Sequence, residues 1–455
     1  MQKIKKTIDM TEGPFFKKML AFAIPIILTG LLQCLYNAAD LVVVGQFRGD
    51  LAVAAVGSTG SLTNLIVGLF LGLSVGSGVC VAHHIGAKEP NEVKKVVHTS
   101  VVLALICGVV IAAVGFFLSE SLLRLMDTPP NVIPLATLYM KIFFLGAPAG
   151  MLYNYLASMM RSAGDSKHPL IFLAISGVVN VFLNVFLIVA FGMGVDGVAI
   201  ATIASQYLSA IMAAIYLMRH DGTLHLSLGE LRIHGEKLKK ILQIGIPSGI
   251  QSSLFSISNV LIQSSINGFG DAVVAGSAAT ASLEGFMYIA MNSIYHVALT
   301  FIGQNVGARK YKNIKPLTVY SSILVTAIGL ISGALLILLR YPLISLYVST
   351  EASVEAALQR LWIIAPTYFL CGLMEVFCAA LRALDRSVTA MIISLGGVCV
   401  LRILWIQTVF KLFPAPRTIY LSYPITWIIT LALHLIFAIV VSKKMIRKYN
   451  ENALA

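Results

Sequence analysis

Charged side chains are scarce in this chain. Asp, Glu, Lys and Arg make up 12% of its 455 residues, while 58% are hydrophobic. Soluble globular domains carry about 25% charged residues, so the composition excludes an ordinary water-soluble globule and points to lipid as the solvent. Cysteine is scarce too, and Cys34, Cys80, Cys107, Cys371, Cys378 and Cys399 all sit inside apolar runs with no CxxC spacing. That excludes a zinc ribbon, haem attachment and a secreted disulfide framework, and leaves the six as small packing residues. No HExxH, GxSxG or phosphate-cradling glycine loop occurs. Hydrolytic chemistry and direct use of ATP therefore have no support, no enzyme and no cofactor are expected, and the remaining energy source is an ion gradient.

What the chain has instead is long apolar runs. Spanning the hydrocarbon layer takes roughly 20 apolar residues as a helix, and only helices or closed barrels satisfy every backbone group there. Continuous runs select helices over the alternation of a barrel. Twelve are expected, at about 17–46, 51–85, 96–118, 134–160, 169–192, 196–219, 241–268, 272–306, 316–340, 353–381, 388–410 and 417–442.

The chain also contains itself twice. HHIGAKEPNEVKKV, from His83, returns as QNVGARKYKNIKPL from Gln304, an offset of 221, and in the same register Asp50 falls on Asp271, Arg161 on Arg382 and Ser166 on Ser387. A period near half the chain is a duplicated domain, not a solenoid. The expected fold is an all-α polytopic membrane protein whose 12 transmembrane helices form two pseudo-symmetric six-helix bundles. Residues 1–219 are the N-lobe, 220–240 a polar cytoplasmic linker, and 241–455 the C-lobe with its tail. Six helices per half makes the repeats parallel, the layout of several secondary transporters.

The net charge of +13 suggests a nucleic-acid partner until its placement is read. With both termini in the cytoplasm, most basic residues fall on that side, in the N-terminal segment, the linker, the tail and the loops after helices 2, 4, 8 and 10. The other face keeps Arg48, Arg124, Arg340, Lys411 and Arg417, while Lys141, Arg360 and Arg402 lie within helices. This is the positive-inside rule, so the expected partners are the lipid bilayer and small molecules, with no nucleic acid. The expected location is the plasma (inner) membrane, multi-pass, as a monomer. The first apolar run is as long as a full span, which reads as a retained helix and not a signal peptide.

Polar groups inside the spans are costly in lipid and so mark function. On helix 1, Thr29, Gln33, Tyr36, Asn37 and Asp40 form a stripe ending in a carboxylate; on helix 5, Ser176, Asn180 and Asn184 lie four apart; on helix 6, Thr202, Ser205, Gln206 and Ser209 share a face. For the Ser, Thr and Asn residues, hydrogen bonding between helices is reading enough. Asp40 is different, because a buried carboxylate needs a cation, a proton or a basic partner, and none lies near it in its own segment. In the second half, Asn259 matches Asn37 but Ile262 replaces Asp40. Glu284 shares a face with Met287, Met291 and Tyr295, and Glu375 one with Tyr368, Cys371 and Cys378. An acid among methionines and aromatics suits a bulky organic cation; the alternative is packing, with Arg402 neutralising one of the acids. His98, His296 and His434 read as packing or interface residues. Pro25 and Pro247, and Pro148 and Pro366, occupy matching helices and permit kinks. Gly68, Gly72 and Gly76 form a small-residue stripe for close helix packing.

In this order and spacing, IPIILTGLLQCLYNAADLVVVGQ on helix 1, RSAGDSKHP after helix 4, GQNVGARK after helix 8 and MEVFCAALRALDRS at the end of helix 10 resemble a multidrug and toxic compound extrusion (MATE) transporter. That family lies within a superfamily that includes lipid-linked oligosaccharide flippases. The resemblance covers nearly the whole chain. It implies alternating access of two lobes and secondary antiport, with organic cations or drugs exported in exchange for protons or sodium. It also implies an N-lobe cation site, carried here by Asp40, Asn180, Asn184 and Thr202, with sodium possible at Asp40, Asn180 and Thr202. Asn184 stands where the family pattern has a second Asp, which removes a charge from a sodium site and favours the proton. Substrate contacts are expected from Gln33, Tyr36, Asn37, Asn259, Glu284, Met287, Met291, Tyr295 and Glu375. Two alternatives stand beside this: a lipid-linked oligosaccharide flippase, and a membrane-embedded enzyme.

Overall fold

The computed structural model describes residues 8–126, 128–219 and 222–454. Lys3, Lys5 and Lys6 of the basic N-terminal segment and the linker residues His220 and Asp221 lie outside the described residues. Twelve helical stretches follow one another, with no β-strand among the described residues. They are α1 Phe15–Arg48, α2 Asp50–Gly86, α3 Pro90–Leu125, α4 the pair Ile133–Leu145 and Ala147–Ser162, α5 Lys167–Phe191, α6 Val195–Met218, α7 Gly235–Asn267, α8 Asp271–Gly307, α9 Ile314–Leu338, α10 Glu351–Ala383, α11 Ser387–Leu412 and α12 Pro416–Leu454.

Ten of these contain a stretch long and apolar enough to cross a membrane, and the two arms of α4, bent by 48°, together make an eleventh. The twelfth, α7, runs for 33 residues but is too polar to pass, because Ser, Gln and Asn recur along it. Side chains such as Val178, Phe182, Ile331, Ile436 and Val440 are more than half exposed. In water such a surface is an aggregation hazard; around a membrane bundle it is the lipid face.

Backbone breakers act where the sequence places them. Pro148 sits in the first turn of the second arm of α4, where its missing N–H removes nothing from that arm's ladder, and the bend precedes it. Pro366 lies in a 3₁₀ turn, Ala365–Thr367, that interrupts α10. Pro25 and Pro247, by contrast, are accommodated inside continuous helices. In α11 the turn Leu395–Val400 is π-helical, and Arg402 lies two residues beyond its end.

The duplication is written into the backbone. α2 and α8 are each 37 residues long. Among the described residues, six of the eight left-handed residues pair at the same offset of 221: Gly49 (φ 76°) with Gly270 (88°), Lys88 (60°) with Arg309 (56°), and Gly164 (90°) with Asp385 (60°), while Gly13 and Gly192 have no counterpart. A left-handed residue stops a helix, so the two halves end and restart their helices at equivalent points. Lys88, Arg309 and Asp385 hold this conformation without glycine's freedom, which marks turns fixed by their surroundings.

Contacts group the chain into two compact units, one of Met1–Asp9 and Ile24–Ser253, the other of Met10–Ala23 and Leu254–Ala455. The seams run inside α1, next to Pro25, and inside α7, shortly after Pro247. Tyr155, Phe144, Met140 and Leu156 centre the first unit's core. In the second unit Leu283, Ile344, Ala357, Leu361 and Ala365 form one cluster, and Ile262, Ile266, Ile419 and Tyr420 another.

Candidate ion-coupling and cargo sites

In the first unit α1, α5 and α6 bring the stripe residues together. Asp40 is buried, and its Oδ1 accepts a hydrogen bond from Asn184 Nδ2 at 2.5 Å while its Oδ2 accepts one from the Thr202 hydroxyl at 3.1 Å. Asn184 Nδ2 also reaches Asn180 Oδ1 at 3.2 Å, and Asn180 Nδ2 reaches Thr202 Oγ1 at 3.5 Å. The Thr202 hydroxyl is shared with the Val198 carbonyl at 2.9 Å, one turn earlier. All four expected coupling residues thus meet. Among the described residues every partner of Asp40 is neutral, and Asn184 Oδ1 is a buried oxygen without a hydrogen-bond partner. A carboxylate and an orphan oxygen side by side form a site for a proton or a small cation.

Tyr36 does not face an open volume. Its hydroxyl donates to the Leu173 carbonyl at 2.7 Å, and its ring fills the space above Gly177, where any Cβ would stand 1.7 Å from Tyr36 Cζ. It fixes α1 against α5. Gln33 and Asn37 in the first unit and Asn259 in the second are exposed. Polar side chains on a membrane helix are stable where water reaches them and not against hydrocarbon.

The second unit departs from expectation at Glu284. Arg360 grips it with both ends of its fork, Nε to Oε1 at 2.9 Å and Nη2 to Oε2 at 2.7 Å, and Arg360 Nη1 donates to Ser277 at 2.8 Å. Both partners are buried. Glu284 is therefore neutralised within the chain, by Arg360 and not by Arg402, and is not a free acid for a cation. Met287 and Met291 are buried packing residues: a Cβ at Gly372 would lie 2.9 Å from Met291 Sδ, and one at Gly333 3.7 Å from Met287 Cε. The Tyr295 hydroxyl accepts a hydrogen bond from Arg382. The expected cation face of α8 is thus closed by packing, because α8, α9 and α10 cross too tightly to leave it open. Glu375 is buried on α10 with no hydrogen bond or ion pair among the described residues.

Arg402 is buried over the Tyr423 ring, 4.2 Å from its centroid; Nη2 reaches Thr426 Oγ1 at 3.2 Å, and Nε has no partner. His434, buried, lies between the carbonyls of Met374 at 3.1 Å and Ala390 at 3.3 Å, and His98 links the Lys94 carbonyl to the Ser227 backbone. Both are structural, as expected.

The MatE family pattern matches residues 25–186 and again 247–406, one copy in each half. The chain belongs to this family. MatE proteins are membrane transporters and not enzymes, and the family includes multidrug efflux proteins. Over 399 residues, 86% of each chain, it is 27% identical to the probable multidrug resistance protein YoeA of Bacillus subtilis. It is 29% identical to the probable multidrug resistance protein YpnP of the same organism, over 87% of this chain and 89% of that one. With the multidrug export protein MepA of Staphylococcus saprophyticus it shares 24% over 87% and 88%. Among solved structures, a MATE protein in a bent conformation superimposes with a TM-score of 0.90 at 21% identity, covering 97% of this chain and 99% of that one. A transporter of the wider superfamily from Pyrococcus furiosus, described as having a binding pocket of reverse polarity, gives 0.86 at 23%, covering 98% of each.

Sequence reading missed the partners of this MatE chain's buried charges. Arg360 lies 76 residues from Glu284, and no spacing rule connects them. Arg382 counted as a loop charge by position but is buried against Tyr295. The RSAGDSKHP segment proves to be a clasp: Asp165 accepts from the backbone of Lys167 and His168 at 3.2 Å, from His168 Nδ1 at 2.6 Å and from the Tyr216 hydroxyl at 3.0 Å. Burial pushes its carboxyl upward, but these donors outweigh it and hold it below the usual carboxylate range. An Asp just before a helix start is a visible capping signal; its reach to α6 is not.

Proposed function

We propose that this MatE transporter exports small organic cations in exchange for protons, with Asp40 as the charge for which proton and cargo compete. One observation carries the reading. Asp40 is a buried carboxylate held by Asn184 and Thr202, both neutral, so its charge is balanced by something that comes and goes. A one-for-one exchange of a proton for a monovalent cation moves no net charge, so the drive is the pH difference, each unit of which supplies about 1.4 kcal/mol or roughly tenfold accumulation. Protonation removes the one formal charge of the cluster, and a bound cation restores its balance. The names of YoeA, YpnP and MepA, all multidrug proteins, support drug-like cargo. Gln33 and Asn37 are exposed polar groups of the first unit offered to it, as Asn259 is of the second. Sodium is the second reading for the coupling ion: Asp40, Asn180 and Thr202 supply oxygens, and Asn184 Oδ1 lacks a partner. The missing second carboxylate weighs towards the proton. Both termini are placed in the cytoplasm, the chain in the plasma membrane, and the monomer as the working unit.

The test is flux in proteoliposomes under imposed gradients. A proton gradient should drive a cationic dye outward without sodium. Asp40→Asn, which mimics permanent protonation, should fold, stop gradient-driven flux and flatten the pH dependence of dye binding. If Asp40 is only a hydrogen-bonding group, the amide largely replaces it; wild-type flux with unchanged pH dependence in Asp40→Asn would end the proposal.

A further inference from the structure

The two buried guanidiniums beside Tyr423 can be compared directly. Arg360 and Arg402 approach the same ring, at 5.6 and 4.2 Å from its centroid. Arg360 is saturated: its Nε and Nη2 hold the two oxygens of Glu284, and Nη1 holds Ser277. Arg402 presents the same fork without the carboxylate. Its Nε is buried with no hydrogen-bond partner among the described residues. Its Nη2 has only the Thr426 hydroxyl at 3.2 Å, a long contact that the threonine does not depend on, since that hydroxyl already donates to the Ser422 carbonyl at 2.7 Å. An unpaired ion withdrawn from water is one of the largest penalties a membrane helix can carry, and the usual reason for keeping one is a ligand.

The local backbone agrees. Arg402 follows the π-helical turn Leu395–Val400, an interruption frequent at functional sites. Around it lie flat aromatic side chains, with Trp427 edge-on to both Tyr423 at 5.8 Å and Tyr368 at 5.2 Å. The missing piece is a planar oxyanion that takes Nε and Nη2 together, as Glu284 takes those of Arg360.

We infer that the second unit contains an anion subsite, in which Arg402 binds the acidic group of a transported molecule beside Tyr423. It rests on the proposed function only in taking the cargo to be a small organic molecule, and it extends that cargo from simple cations to amphiphiles that also carry an acid. The oxyanion is a carboxylate on the cargo or the phosphate of a lipid headgroup, and the two are separable by experiment.

The probes are a zwitterionic xanthene dye with a free carboxyl group and its methyl ester, equal in shape. Binding is read by fluorescence anisotropy with the purified full chain in phosphatidylcholine nanodiscs and in nanodiscs containing phosphatidylglycerol. Binding needs no gradient, so failure of Asp40 coupling leaves this readout intact. In phosphatidylcholine, Arg402→Gln should raise the Kd of the acid about tenfold or more, the scale of a charge-assisted hydrogen bond, and leave the ester unchanged. Arg402→Lys keeps the charge but loses the fork and should weaken the acid by less than Gln does; it also serves if Gln does not fold. Phosphatidylglycerol displacing the acid from the wild type but not from Arg402→Gln would identify a lipid phosphate as the natural occupant of the same subsite. Equal loss of acid and ester, or no loss of either, would overturn the inference and leave Arg402 a packing residue on Tyr423.

Discussion

Asp40 and Glu284 look alike as isolated letters, yet the fold treats them oppositely. Glu284 meets Arg360 in a buried, two-point ion pair. Taking away one partner of such a pair strands the other charge at a cost of about 3–5 kcal/mol, whereas replacing both by apolar residues is often neutral. Glu284→Gln and Arg360→Met should therefore each lower the thermal unfolding midpoint in detergent markedly, and Glu284→Met with Arg360→Met should recover most of the loss. Single variants as stable as the wild type would show that the pair contributes nothing. Asp40 itself was legible as a carboxylate conspicuous in lipid, whereas its grouping with Asn180, Asn184 and Thr202 came from the family resemblance, since the helical stripes alone left those residues as interhelical hydrogen bonds. The Glu284 pair was not legible, since Arg360 reads as one more charge in an apolar run until the fold closes the distance.

Helices were the most legible level, because apolar runs of span length admit little else; the twelve expected ranges differ from the observed ends by a few residues at most sites, by six or seven at the ends of α3 and the start of α7, and by twelve at the end of α12, whose polar tail continues the helix. Contact between them was less visible. The glycine stripe of α2 meets α7: a Cβ on Gly72 would stand 2.1 Å from the Gly249 nitrogen, and one on Gly249 2.0 Å from the Leu69 carbonyl oxygen. These are backbone atoms, which cannot rotate away as a side chain would. Gly72→Ala must push α2 and α7 apart, and the overpacking should cost about 1–3 kcal/mol. Gly57→Ala on the same helix, where nothing lies within 4 Å of the new methyl, is the control. A thermal midpoint for Gly72→Ala equal to that of Gly57→Ala would mean that the crossing is loose. Sequence showed the small residues on both helices but not their register, which depends on where α7 begins relative to the linker.

At the scale of the whole chain, charge placement and helix course combine into a topology. Within the first unit, the linker is tied to the start of α3 by Lys94 with Glu230 at 3.0 Å and by Lys237 with Glu92, so both lie at one end of the bundle. At the other end Arg48 donates to the Met193 carbonyl at 2.7 Å, joining the end of α1 to the turn between α5 and α6. The linker end carries most of the basic residues, and the rule that short cytoplasmic loops are basic is the ground for the proposed orientation, with that end inside the cell. The six native cysteines lie within helices, Cys34 half-buried and the others buried, so a cysteine-free background should fold with small replacements. In that background Gly229→Cys, exposed in the linker, should react with an impermeant maleimide only in inside-out vesicles. Asn131→Cys, exposed between α3 and α4, should react only in intact cells. Reversed labelling of both would invert the proposed orientation; labelling of both from one side would break the up-and-down course on which the twelve-helix reading depends.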